Sequence, residues 1–94
     1  MIFTVGKTEI YEPYLRDDPE AAKLGRGNDH AGNYYSGGSV WKTREAAQAY
    51  LDLTNIQKEF SVYGVLADWE TQTEAEPGKE WHRLLVTSKL VKLT

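Results

Sequence analysis

Ten consecutive residues, Phe60 to Trp69, read Phe-Ser-Val-Tyr-Gly-Val-Leu-Ala-Asp-Trp and form the densest apolar run in the chain. Any fold this sequence adopts has to bury them. Taken as a strand, the run puts Phe60, Val62, Gly64 and Leu66 on one face and Tyr63, Val65, Ala67 and Trp69 on the other. Both faces are apolar, which predicts a central strand with packing partners on each side or one that crosses the middle of a small, strongly curved sheet. Asp68 and Glu70 end the run and, two residues apart, share a face.

At 94 residues the chain supports one core, because two would leave each half too small to offset its conformational entropy. Cysteine is absent, which excludes disulfides, thiol nucleophiles and thiolate metal sites and suits the reducing cytoplasm. Met1 to Val5 is apolar for too few residues to be a signal h-region or a membrane span before Lys7 and Glu9 arrive. The charge of −3 is unevenly spread: residues 1–22 carry −3, residues 23–44 carry +3 and residues 45–94 carry −3. An anionic partner would prefer the middle segment.

In chain order, Met1 to Gly6 reads as a first strand. Tyr11, Pro13, Tyr14 and Leu15 read as a linking segment whose aromatics fold back on the core. Asp18 to Gly25 has the grammar of a short helix, with an Asp cap, Pro19 at the first helical position and a glycine stop. Gly25 to Gly38 holds five glycines and no aliphatic residue larger than alanine, so it reads as a long loop and the first place to look for a site. Ser39 to Trp41 returns to strand, and Thr43 caps a helix from Arg44 to Leu53 whose apolar stripe is Ala46, Ala47, Tyr50 and Leu51. Thr54 to Lys58 is a turn. Glu70 to Lys79 reads as an acidic exposed loop, Trp81 to Leu85 as one helical turn with Trp81, Leu84 and Leu85 inward, and Lys89 to Leu93 as the last strand. The expectation is one α+β domain over residues 1–94, with a sheet of about four strands and two or three helices.

Metal chemistry has little to work with. His30 and His82 lack partners at ligand spacing, and Asp68 with Glu70 offers only two carboxylates, so no metal site is predicted. Gly25-Arg26-Gly27 begins like a phosphate loop, but the sixth position is His30 and the segment follows a helix rather than a strand. Generic anion binding remains open through Arg26 and Arg44, with Tyr35 or Trp41 stacking a base and Asp68 or Glu70 as acid, base or ligand. His30 belongs to the same candidate set. With a pI near 5.3 the chain has too few cations to displace the counterions of duplex DNA. Trp69 and Trp81, at the two edges of the acidic loop, read as a protein-contact surface.

Gly37 to Leu51 (Gly-Gly-Ser-Val-Trp-Lys-Thr-Arg-Glu-Ala-Ala-Gln-Ala-Tyr-Leu) together with Val62 to Trp69 resembles the core of small uncharacterised bacterial proteins. That resemblance implies a cytoplasmic α/β domain and no activity. The same pattern of glycine-led strand, Thr-started helix and apolar strand is similar to a segment of the ADP-ribosyltransferase fold, where it frames a nicotinamide dinucleotide; that family's early His or Arg-Gly element and late catalytic Glu have no assigned counterparts here. Two functions are therefore expected in parallel. The first is a non-enzymatic binding or interaction protein. The alternative is a nucleotide- or anion-handling enzyme or sensor. Neither specifies a cofactor, and neither calls for duplex DNA or a membrane.

Overall fold

The computed structural model describes residues 1–15, 34–54 and 58–93. β1 (Ile2–Lys7) alternates buried and half-buried residues, the period-two pattern its sequence predicts. It pairs antiparallel with β4 (Phe60–Val65), Ile2 opposite Val65 and Lys7 opposite Phe60. β4 pairs in turn with β7 (Ser88–Lys92), which carries the short β2 (Tyr34–Tyr35) on its other side. A second sheet has the order β3 (Ser39–Val40), β6 (His82–Leu84), β5 (Thr73–Ala75).

One bridge makes the two sheets continuous. Phe3 N–H donates to Trp41 C=O at 2.9 Å and Trp41 N–H to Phe3 C=O at 2.7 Å, on the edge of β1 that β4 leaves open. Only Ser36 to Gly38 separate β2 from β3, so the path β1, β4, β7, β2 is completed into a small ring by this covalent turn to β3 and by the Trp41–Phe3 bridge back to β1, with no ladder between β2 and β3. The turn needs its glycines. Gly37 has φ of 69°, and a side chain on Gly38 would collide with the Tyr35 hydroxyl.

The core lies inside this ring. Ile2, Val40, Tyr63, Val65, Leu84 and Leu90 form one buried cluster, and Thr4, 1% exposed, bonds the Tyr35 hydroxyl at 3.0 Å and the Ser39 carbonyl at 2.8 Å across it. On the outer face the helix α2 (Arg44–Thr54) buries Ala47 and Leu51. Its cap is the predicted one: Thr43 Oγ1 accepts the Ala46 N–H at 3.1 Å.

The architecture is α+β, with a four-stranded sheet as expected and a second sheet that was not. Five local expectations are corrected. The segment expected as a link is a helix, α1 (Thr8–Leu15), because packing Tyr11 and Leu15 against the core outweighs the amide that Pro13 lacks. The apolar run leaves β4 at Val65, where Ala67 N–H turns back to the Val65 carbonyl at 2.9 Å and Asp68 starts α3 (Trp69–Gln72). Asp68 and Glu70 therefore share no strand face. The acidic loop supplies α3 and β5, and Trp81 to Leu85 is extended rather than helical: the turn at Pro77-Gly78 (φ 75° at Gly78) folds His82 opposite Ala75, leaving Leu84 buried and Leu85 51% exposed. Tyr34 and Tyr35, expected in the glycine loop, form β2.

The Asp18–Gly25 helix, most of the Gly25–Gly38 loop with Arg26 and His30, the side chain of Tyr14 and the centre of the Thr54–Lys58 turn lie outside the described residues. Among the described residues no helix is long and apolar enough to cross a membrane.

Candidate functional site

The bridge that closes the ring also places Trp41 on the outer face beneath α2. Three aromatic rings meet there: Trp41 and Tyr50 at 4.9 Å between centroids, Trp41 and Trp81 at 5.6 Å, Tyr50 and Trp81 at 5.2 Å with planes at 71°. Tilted and edge-on contacts of this kind match ring quadrupoles and hold the rings at fixed angles. Lys79 sets its ammonium 5.3 Å from the Trp81 ring centroid, a cation–π contact. Trp41 is 3% exposed, and among the described residues its indole N–H has no acceptor.

Next to this cluster opens a cleft of about 400 Å³ lined by Val5, Tyr35, Ser39, Trp41, Tyr50, Thr54 and Phe60. Its walls come from β1, β2, β3 and the residue after it, the start of β4 and the last turns of α2. Phe60 is 40% exposed, and Leu53, beside Thr54 on α2, is 84% exposed. Its lining mixes apolar and aromatic surface from Val5, Trp41 and Phe60 with the hydroxyl-bearing side chains of Tyr35, Ser39, Tyr50 and Thr54.

Of the other residues expected at a site, Tyr35 joins Trp41 in this cleft, while its ring packs near Tyr11 and its hydroxyl is engaged by Thr4. The rest are dispersed. Asp68 is the α3 cap, accepting the Thr71 N–H at 3.1 Å and the Thr71 hydroxyl at 2.5 Å. Glu70 is exposed, with Lys42 at 3.9 Å, a surface pair of little energetic weight. Arg44 opens α2 and lines a different, more polar pocket. Among the described residues no group of three His, Cys, Asp or Glu side chains is placed to hold a metal ion.

The two tryptophans expected to flank one contact surface have different companions. Trp81 joins Trp41 and Tyr50, whereas Trp69 stacks on His82 at 3.8 Å with planes 19° apart. Thr73 fixes that stack. Its hydroxyl donates to the Trp69 carbonyl at 2.7 Å, so at 2.8 Å it can only accept from His82, which must carry its proton on Nδ1.

Sequence reasoning found Trp41 and Trp81 but missed Tyr50, Phe60 and Thr54 as their companions. Tyr50 was legible only as part of a helix stripe, and nothing local in Phe60 says that it borders Trp41. The resemblance carried by Gly37 to Leu51 and Val62 to Trp69 meets a structure in which the second stretch is only partly strand. Compared with family models, with curated proteins and with solved structures, the chain matches none.

Proposed function

We propose that this protein is a non-enzymatic interaction module that seats a large apolar side chain of a partner protein in the cleft between α2 and the outer face of β1. The observation that supports this is the cleft itself, aromatic-walled, about 400 Å³ and lined by Phe60, whose side chain is 40% exposed. Pockets that hold small organic groups span about 300–1,000 Å³, and buried aromatic anchors carry most of the energy of protein contacts. A rigid wall lowers the ordering cost of binding, and here three interlocked rings supply it. The cysteine-free chain suits a cytoplasmic setting.

The test is selection of a random peptide library on the purified protein. Enriched peptides should share one aromatic or aliphatic anchor, shift the tryptophan emission, and bind at least about tenfold more weakly to Phe60→Asp. A library that yields no such peptides, or peptides that bind this variant as they bind the parent, removes the reading.

A further inference from the structure

The cleft beside Trp41 is lined by electron-rich groups. Among the described residues that line it, Tyr35, Trp41, Tyr50 and Phe60 carry rings, and no side chain carries a formal charge. Its polar side-chain atoms are hydroxyl oxygens, the indole N–H of the 3% exposed Trp41 apart. Two of those hydroxyls have their protons engaged. Thr54 donates to the Tyr50 carbonyl at 3.0 Å. The Ser39 carbonyl can only accept, so the single Thr4 hydroxyl proton goes to it at 2.8 Å, and Tyr35 must donate its own to Thr4 at 3.0 Å. Thr54 and Tyr35 are left with lone pairs alone.

Ring faces and oxygen lone pairs both attract positive charge. The adjoining Trp81 ring already does so, with the Lys79 ammonium 5.3 Å from its centroid, and the net charge of −3 on the whole chain acts in the same sense. The lining also separates one cation from another. A bare ammonium is strongly hydrated and brings three N–H donors, and with no carboxylate among the described lining residues its burial here would leave it unpaired. Methylation keeps the charge, removes the donors and gives the cation an apolar surface.

We infer that the group seated in the cleft is an N-methylated ammonium, the head of a trimethylated lysine side chain, held against the rings of Tyr35, Trp41, Tyr50 and Phe60 by cation–π attraction. The inference rests on the reading of the cleft as the seat of a partner's side chain and names its head group.

The test is an amide NMR titration of the full chain at constant ionic strength with three capped amino acids in separate arms: trimethyllysine, unmodified lysine, and the neutral analogue in which carbon replaces the methylated nitrogen. Residues 5, 39, 41, 50, 54 and 60 should shift together and saturate with trimethyllysine, which should bind about tenfold tighter than either of the others. Phe60→Leu, at a side chain 40% exposed, keeps apolar bulk and removes a ring, so it should weaken trimethyllysine and leave the neutral analogue unchanged. A neutral analogue that binds as tightly as trimethyllysine overturns the inference and leaves the cleft a seat for apolar side chains. Unmodified lysine binding as tightly, or Phe60→Leu binding trimethyllysine as the parent does, overturns it as well. If no arm saturates the inference falls, while the peptide selection still decides the reading beneath it.

Discussion

Val65 is 0% exposed and sits opposite Ile2 on β1 and Leu90 on β7, so its side chain is surrounded by the ring interior. Val65→Asp should abolish cooperative unfolding, since an ionised carboxylate there has neither water nor partner; thermal melting followed by circular dichroism checks it, and a retained sharp transition would mean that the core lies elsewhere. Asp68 gives the opposite lesson. Read in sequence it was a candidate ligand paired with Glu70, because two acids at i and i+2 line up on a strand. The structure uses it as a cap, and Asp68→Ala should cost about 1–2 kcal/mol in urea denaturation, with Asp68→Asn keeping most of that. A carboxylate reserved for a ligand would instead leave stability untouched on removal. Types of residue were legible here, whereas roles were not, because a cap and a ligand call for the same oxygen atoms.

Elements were legible where a period ran long enough to be seen. α2 has eleven residues, a Thr cap and an apolar stripe, and its start was read to the residue. β1 and β7 were likewise found, the latter displaced by one position. The hairpin of β5 and β6 was missed because three-residue strands with Glu74 and Arg83 in their middles show no period. Their pairing is cross-strand, Glu74 opposite Arg83 with a 3.1 Å salt bridge, and becomes visible only once Pro77-Gly78 is known to reverse the chain. Trp81 and Leu85 were assigned inward together by a helical count; in an extended chain their surroundings are set by strand alternation and by the turn instead. The candidate site suffered more than the fold. Its residues come from positions 5, 35, 39, 41, 50, 54 and 60, which no local pattern connects.

Across the whole molecule three tyrosines report on the packing of α1 against the ring. Tyr11 lies 5.5 Å from Tyr63 and 6.4 Å from Tyr35 between ring centroids. All three phenols are held above the ordinary value of 10.0: Tyr11 by burial and then by its two neighbours, Tyr35 by burial against a smaller opposing pull from Thr4, Tyr63 by burial foremost. The folded state therefore binds these protons more tightly than the unfolded chain does. Their contribution is fully present below pH 10 and is lost as pH rises through the folded-state values, so stability should fall on the alkaline side. Tyrosinate absorbance should show Tyr11, Tyr35 and Tyr63 ionising together with loss of structure. Their ionisation without unfolding would contradict the buried cluster.

The closed ring also sets an order of events in time. β1 finds its main partner only in residues 60–65 and its second in Trp41, so this strand has no β4 to pair with until more than fifty further residues have been made. Contacts that span such sequence distances slow folding, because the intervening chain must be confined before any pairing rewards it. On the ribosome, Ile2, Phe3 and Val5 would emerge before their partners and wait, an apolar segment exposed to whatever else is nearby.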